Sequence, residues 1–211
     1  MANSAKAAVD VAGGSPASDS DDARLGAQVR RLRKARRMSI ETVAQRADVS
    51  IGLVSQIERG LSSPSLKTLR ALCSVLNVPI SWFFREGMKG ADPTGIVVEP
   101  QNRRFLEFAG KGVTKELASP ELGLPLEALV VTVQPGAKSG DEYYTHEGEE
   151  CGYVLQGVLE LWVEGHRFLI HPDSSFQFES TRPHRFSNPG AIATKVLWVI
   201  APNRTYDKPE V

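Results

Sequence analysis

The residues best suited to do chemistry in this 211-residue chain lie in the segment YYTHEGEECGYVLQG, positions 143–157, and further on at His184. His146 and Glu150 stand four residues apart. On a straight strand that separation spans about 13 Å, too far for two ligands of one metal ion. A tight turn at Gly148, whose lack of a side chain permits it, would bring both groups to one side. The pattern alone leaves a metal site, an acidic pocket and a solvated turn open.

Two histidines and one carboxylate form the ligand set of a facial triad for iron(II). The same groups could instead hydrogen-bond an organic ligand or one another inside a closed lumen, and we favour that alternative. The neighbouring acidic run could select a cationic amine or an amino acid by charge, although a solvated acidic loop explains all of it except Glu150 equally well. The run consists of Asp141, Glu142, Glu147, Glu149 and Glu150.

The strands that must position these groups are predicted from the stretch EGMKGADPTG, residues 86–95, onward. Short apolar runs there alternate with a period of two residues and are separated by Gly and Pro, which is typical of an all-β sandwich or closed barrel. A barrel would return His184 to the side of His146 and Glu150. The aromatic side chains expected in its core are Trp162, Trp198, Phe168, Phe176 and Phe178.

Charge divides the chain into three parts, although its formal net charge is zero. Residues 1–23 carry −3, residues 24–89 carry 13 basic and 4 acidic side chains (+9), and residues 90–211 carry −6. A compact cationic segment joined to an acidic one is typical of a nucleic-acid-binding module attached to a different domain. A solvated basic helix face is the simpler alternative.

The basic part has helical periodicity. Leu25, Val29 and Leu32 recur at i, i+4 and i+7 and predict an amphipathic helix with a basic outer surface. Further helices are predicted after Ser39, Ser50 and Ser65, which are suited to cap helix N-termini, and a fifth at Ile80 to Phe84. The basic residues assigned to the outer surface of the first helix are Arg30, Arg31, Arg33, Lys34, Arg36 and Arg37.

The third of these helices has a face without bulky side chains, which suits a DNA major groove. Gln56 can pair with adenine, Ser55 can bond to bases, Ile51 can touch a thymine methyl, and Arg59 suits a phosphate. The predicted DNA-binding residues are Ser39, Gln45, Ser50, Ile51, Gly52, Ser55, Gln56, Arg59 and Ser62.

The stretch SIETVAQRADVSIGLVSQIERGLSSPSLKTL resembles the Cro/lambda-repressor (XRE) family of helix-turn-helix domains. The resemblance rests on Ala44, the turn into VS, the IERG end and the SPSLxTL entry into the next helix. It implies a helix-turn-helix motif at residues 41–60, with residues 51–59 as the recognition helix.

The second half resembles the cupin family, which implies a small β-barrel. His146, the spacing from Glu150 to Gly157, and His184-x3-Asn188 match its two motifs. Tyr144 replaces the first motif histidine, so a full four-ligand metal site is not preserved. The resemblance implies a ligand pocket lined by Tyr144, His146, Glu150 and His184. The remaining metal ligands would be His146, Glu150 and His184, for iron, nickel or zinc.

An XRE domain followed by a cupin barrel resembles a family of bacterial regulators that includes the putrescine-utilisation repressors. We therefore expect a dimeric, metabolite-sensing transcriptional regulator that binds operator DNA; the effector could be a polyamine, an amino acid or a similar small molecule. The alternative is a mononuclear non-haem iron oxygenase or epoxidase of the same two-domain plan. The sequence shows no span of about 20 apolar residues and no secretory signal, so we expect a cytoplasmic protein.

The expected organisation has five parts. These are a disordered tail at 1–23, a helix-turn-helix domain at 24–85 built as a five-helix bundle, a linker at 86–100, a cupin sensor domain at 101–203 and a C-terminal tail at 204–211.

Overall fold

A computed structural model of the chain describes residues 18–84, 94–108, 111–120 and 126–201. It has a helical N-terminal part and a β-rich C-terminal part, as predicted. The helices are α1 (Ser18–Ala35), α2 (Ile40–Arg46), α3 (Ile51–Glu58) and α4 (Leu66–Leu76), followed by single 3-10 turns at Ile80–Phe83 and Pro100–Asn102.

The start of α1 corrects the predicted boundary of the N-terminal tail. The helix begins at Ser18, six residues before the expected domain start at residue 24. Asp21 and Asp22 lie near the N-terminus of α1, where negatively charged side chains interact favourably with the helix dipole. Residues 18–23, whose composition suggested a disordered tail, therefore belong to the helix. Residues 1–17 and 202–211 lie outside the described residues, and so does most of the expected linker.

The caps of the short helices follow the sequence. The hydroxyl oxygens of Ser39, Ser50 and Ser65 each accept a hydrogen bond from the backbone N–H three residues later, at 3.0–3.1 Å. The predicted fifth helix is one 3-10 turn, Ile80–Phe83, instead of an α-helix. It starts directly after Pro79 and spans four residues, too few to continue the α-helical ladder.

The core of the helical part confirms the apolar stripes. Leu25, Val29 and Leu32 of α1 are buried against Val54 and Ile57 of α3. Arg33, however, lies inside this core with only 9% of its surface exposed, instead of on the basic outer surface. The free-energy cost of burying this charge is offset by an ion pair with the Glu58 carboxylate.

Nine strands follow in the part of the chain that the structure describes. They are β1 (Arg104–Phe108), β2 (Val113–Leu117), β3 (Glu127–Val133), β4 (Glu149–Gln156), β5 (Leu159–Val163), β6 (His166–Ile170), β7 (Ser175–Glu179), β8 (His184–Ser187) and β9 (Thr194–Ala201). Within the described residues, all strand pairs are antiparallel. They form a six-stranded sheet in the order β1-β2-β3-β9-β4-β7 and a three-stranded sheet in the order β6-β5-β8.

The two sheets pack face to face instead of forming one continuous closed ladder. Phe186 of β8 and Trp198 of β9 meet with ring centroids 5.2 Å apart. The segment between β3 and β4 contributes isolated bridges, Lys138 to Ser187 and Tyr144 to His184. This irregular segment therefore pairs with β8 through isolated bridges instead of a continuous strand.

Aromatic burial is only partly as predicted. Trp198 and Phe178 are buried in the core, and Phe176 packs against it. Phe168 is 49% exposed, because β6 is an edge strand of the small sheet. Trp162 is half-buried, and the guanidinium of Arg185 lies 4.5 Å from the centroid of its ring.

Side chains from both halves hold the helical part against the β part. Lys67 of α4 forms an ion pair with Glu142, and the hydroxyl of Ser81 donates to Glu127 of β3. Lys111 Nζ donates to the carbonyl oxygen of Pro64 at 2.9 Å. The end of the β part that carries the motif residues therefore faces α4.

Candidate functional site

The structure brings together the three residues that the sequence singled out for metal chemistry. His146 Nε2 lies 2.6 Å from Glu150 Oε1, and His184 Nε2 lies 3.7 Å from Glu150 Oε2. All three groups offer ligand atoms within 4.8 Å of one another. Gly148 makes this possible, since its φ of +111° turns the chain between His146 and the start of β4.

The hydrogen bonds around the two imidazoles orient them toward one point. His146 Nδ1 faces the carbonyl oxygen of Glu147 at 2.9 Å, and His184 Nδ1 faces that of Arg182 at 2.8 Å. The carbonyl partner of His184 favours a proton on its Nδ1 and leaves its Nε2 lone pair for another partner. His146 Nε2 already faces the Glu150 carboxylate at 2.6 Å, a contact that a bound cation would replace. His184 Nε2 is buried and has no hydrogen-bond partner among the described residues. The arrangement therefore fits a metal ion, because a cation at this point would satisfy both Nε2 atoms and the carboxylate.

Burial controls the protonation of the site. It lowers the pKa of His146, an effect that the charge of Arg70 reinforces, and it lowers the pKa of His184 to about 4. Burial alone would raise the pKa of Glu150, but the hydrogen bond from His146 and the charges of His146 and Arg70 lower it to about 2. Neutral histidines beside an ionised carboxylate are the forms that bind a cation.

Two residues frame the carboxylate. Trp198 Nε1 donates to Glu150 Oε2 at 3.1 Å, and the Tyr144 ring stands edge-on to His184 at 4.2 Å between centroids. Tyr144 is buried, and this burial together with Glu150 raises the pKa of its hydroxyl. Trp198 was expected only as a core residue; its indole N–H also fixes the orientation of Glu150.

A cation from the helical half reaches this site. Arg70 of α4 has a side chain that is only 9% exposed, its Nη2 lies 3.7 Å from Glu150 Oε1, and its guanidinium lies 5.6 Å from the Tyr144 ring centroid. Arg70 was not among the residues predicted from the sequence to line this site. Helical spacing could have identified it, because positions 67, 70, 71 and 74 share one face of α4 beside the apolar stripe.

The acidic run does not form a shared anionic pocket. Asp141 is paired with Lys138 and Glu142 with Lys67, all at the surface. Glu150 alone is buried. Because most of these carboxylates are at the surface, the structure gives less support to a cationic effector than the acidic run in the sequence does.

The second candidate site is the exposed face of α3. Ile51, Gly52 and Gln56 are exposed and Ser55 is half-buried, while Val54 and Ile57 point into the core. Arg59 follows the helix as its C-cap and is exposed, with its Nε donating to the carbonyl oxygen of Ser55 at 3.2 Å. Of the other predicted DNA-binding residues, Ser39 and Ser50 are exposed helix caps, Gln45 is exposed on α2 and Ser62 is half-buried after α3.

A buried ion pair fixes α3 on α1. Arg33 Nε and Nη2 donate to the two carboxylate oxygens of Glu58 at 2.5 and 2.8 Å, and Nη1 donates to the carbonyl oxygen of Met38 at 3.0 Å. Gly26 lets the helices approach closely, because a Cβ there would lie 2.0 Å from the carbonyl oxygen of Ile57. These contacts determine how α3 presents its outer face.

Models of two known families match the two halves of the chain. The helix-turn-helix family model matches residues 29–83, and the cupin domain model matches residues 129–200. The first match contains α2 and α3, and the second contains His146, Glu150 and His184. The chain therefore contains an XRE-type helix-turn-helix domain followed by a cupin domain.

Relatives of this XRE-cupin protein include transcriptional regulators similar over most of their length. The HTH-type transcriptional regulator PuuR of Escherichia coli (strain K12) is 28% identical over 82% of this chain and 91% of its own. SutR of the same organism is 28% identical over 79% of this chain and 88% of its own. An HTH_3 family transcriptional regulator from Vibrio cholerae shares the fold, with 22% identity, a TM-score of 0.68, and coverage of 89% of this chain and 99% of its own.

These relatives support a DNA-binding transcriptional regulator. No helix among the described residues of the XRE-cupin protein is long and apolar enough to cross a membrane.

Proposed function

We propose that this protein is a sequence-specific transcriptional regulator whose cupin domain senses a small metabolite. The observation that carries the proposal is the exposed face of α3, which has no structural task in the fold. Its core face and its ion pair to α1 hold the helix rigidly, while Gln56 and Ile51 remain open to a partner. A rigid helix with small and polar outer residues suits the major groove.

Each exposed group on α3 has a role in DNA recognition. The Gln56 amide pairs with adenine, the Ile51 side chain touches a thymine methyl, and Gly52 lets the backbone come close to the base edges. Arg59 lies at the end of the helix and contacts phosphate. Base contacts then specify the sequence, and phosphate contacts position the protein.

The operator is expected to be two-fold symmetric and bound by a homodimer. One short helix reads only a few base pairs, which is too little information for a genome. Two copies related by a two-fold axis read two half-sites about 34 Å apart.

The sensing role is based on the pocket beside α4. Tyr144, His146, Glu150 and His184 lie together at the end of the cupin domain that faces the helical domain. A molecule bound there touches both domains, so it can favour one arrangement of the dimer over another. A polyamine, an amino acid or a similar small molecule remains the effector class predicted from the sequence.

The test of DNA reading compares variants on specific and random DNA. Gln56→Ala in the full chain should cost about 1–3 kcal/mol at sites selected from a random library and little on unselected duplex. Arg59→Ala should weaken both about equally, and Lys138→Ala in the cupin domain should change neither. Fluorescence anisotropy measures the affinities. Equal losses on both DNAs in Gln56→Ala would contradict base reading by Gln56.

A second function, iron-dependent oxygenation, is favoured by one observation, the convergence of His146, Glu150 and His184. These three would hold a divalent iron, nickel or zinc, which would supply Lewis-acid coordination for an oxygen of a bound molecule. Metal analysis of the purified protein and oxygen uptake in the presence of small substrates separate the two functions. Stoichiometric iron with substrate-dependent oxygen uptake would favour the oxygenase; an effector response without metal would favour the sensor.

A further inference from the structure

A cavity of about 650 Å³ lies between the helical domain and the end of the cupin domain that carries the triad. Arg46 of α2 and Lys67 and Arg70 of α4 line one wall, and Tyr143 and His146 belong to the other. The volume is that of a site for a small organic molecule. Both domains therefore contribute to one cavity.

Arg70 is the group in this cavity whose bonding is incomplete. Its side chain is nine-tenths buried, its Nε has no hydrogen-bond partner among the described residues, and its nearest anion, Glu150, is 3.7 Å away. A guanidinium has five N–H donors in a rigid fork, and burying them without acceptors costs free energy. An acceptor from outside the chain would remove this cost.

The charges around the cavity favour an anion as that acceptor. The lining carries Arg46, Lys67 and Arg70 against Glu147, while Glu150 behind Arg70 and Glu142, which pairs with Lys67, offset two further positive charges. The cations all lie on the wall formed by the helical domain, so a molecule bound against that wall meets the Arg70 guanidinium first. A dication such as a polyamine would have to approach Arg70 directly, and like charges at short range repel.

We propose that this interdomain cavity binds a small anionic metabolite carrying a carboxylate, held by the Arg70 fork with Arg46 and Lys67 alongside. A planar oxyanion matches the guanidinium donors in two parallel hydrogen bonds. The regulatory role of this site rests on the proposed function, and the site makes that function more specific by giving the chemical class of the effector. An anion there bridges α4 to the cupin domain and so couples occupancy to the position of the DNA-binding helices.

The experiment uses the full chain and opposite-charge probes of equal length. Succinate and putrescine each have four carbons, with two carboxylates in one and two ammonium groups in the other. Acetate, citrate and inorganic phosphate test size and distinguish carboxylate from phosphate. Calorimetric titration at constant ionic strength gives the affinities, and anisotropy with a selected operator gives the response.

The expected result is saturable binding of at least one carboxylate, tighter than that of putrescine or phosphate. Arg70→Gln should weaken it by about 10-fold or more, as expected for loss of charge-assisted hydrogen bonds. Arg46→Gln, at an exposed position, should weaken it by roughly 2- to 5-fold and tests the site if Arg70→Gln fails to fold. Arg167→Gln on β6 is the matched control and should bind as the wild type does.

Three outcomes would contradict the anion site. They are no carboxylate binding up to about 10 mM, where a Kd near 1 mM would already saturate; equal carboxylate binding by wild type, Arg70→Gln and Arg46→Gln; and wild-type binding of putrescine that is tighter than that of every carboxylate. Carboxylate binding that leaves operator affinity unchanged would confirm the site but contradict the sensing role. An operator response to putrescine alone would keep the sensing role and overturn the anion site.

Discussion

At the scale of single residues, Tyr144 decides the ligand count of the cupin site. It occupies the position of the first motif histidine and stacks edge-on with His184. A phenol whose pKa is raised by burial is a poor metal ligand, because it must first lose its proton. Three ligands therefore remain.

Replacing this residue tests the metal assignment. Tyr144→His should increase retention of iron, nickel or zinc during dialysis against a chelator, because it adds an imidazole beside the other three groups. Metal analysis before and after dialysis measures the effect. Tyr143→His is the matched control, since the Tyr143 ring lies under the guanidinium of Arg185. Equal metal loss from wild type and Tyr144→His would contradict the assignment.

Lys115 is a buried lysine whose burial was not predicted from the sequence. It points inward from β2 between Val113 and Leu117 and is 3% exposed, with its Nζ 6.0 Å from the Phe186 ring centroid. Burial, reinforced by the charge of Arg70, lowers the pKa of its ammonium group to about 7. The folded protein thus releases this proton at a much lower pH than the unfolded chain does.

A pH dependence of stability follows from Lys115. Between pH 7 and 9 the unfolded chain binds more protons at this position, so the free energy of unfolding should rise with pH by about 2 kcal/mol. Lys115→Met should remove this rise and stabilise the protein at pH 7, while Lys138→Met at the surface should leave the slope unchanged. Urea unfolding at pH 7, 8 and 9 measures it. A wild-type slope retained in Lys115→Met would refute the assignment.

At the scale of elements, the packing of α3 on α1 depends on a glycine contact and an ion pair. Gly26 permits the close approach of the two helices, and the Arg33–Glu58 pair locks their orientation. Gly52 has a different role, because a Cβ there would meet only Ser50 Oγ, at 3.9 Å. Gly26 therefore allows close packing of the two helices, whereas Gly52 leaves its own position on the outer face of α3 without a side chain.

Alanine substitutions at these two glycines should have opposite effects on stability. Gly26→Ala should destabilise the helical domain by about 1–3 kcal/mol or more, because its Cβ would clash with the Ile57 backbone. Gly52→Ala should be neutral or stabilise by up to about 1 kcal/mol through helix propensity. Urea unfolding followed by helical circular dichroism measures both. Unchanged stability of Gly26→Ala would show that the helices are not in close contact.

At the scale of the whole molecule, charge is distributed unevenly between the two parts of the chain. The helical part carries a net charge of +9 over residues 24–89, while residues 90–211 carry −6. Attraction to phosphate is therefore confined to one part of the chain, and the acidic part disfavours contact with DNA.

The full chain should bind a duplex with two inverted half-sites much more tightly than a duplex with one. If about six phosphates are contacted, affinity should fall by roughly 10³ between 50 and 200 mM salt. Anisotropy with both duplexes at several salt concentrations measures this, and sedimentation gives the oligomeric state. Equal affinity for one and two half-sites, or a monomer on DNA, would contradict the dimer proposal.

The sequence by itself determined the features that depend on neighbours along the chain. Serine caps and apolar spacing located α2, α3 and α4, because capping and helical periodicity act over three or four residues. Alternation of apolar residues predicted the strands for the same local reason. The types of the triad residues, and the turn at Gly148, were also apparent from spacing.

Only the tertiary structure decided which charged side chains are buried. Arg33 lies in the core because Glu58, 25 residues away, pairs with it, and Arg70 reaches the cupin site because Glu150, 80 residues away, attracts it. Burying a charge is favourable only beside such a partner, and no local pattern indicates which partner the fold will bring close. The cavity between the domains exists for the same reason, since its walls come from segments that meet only when the chain is folded.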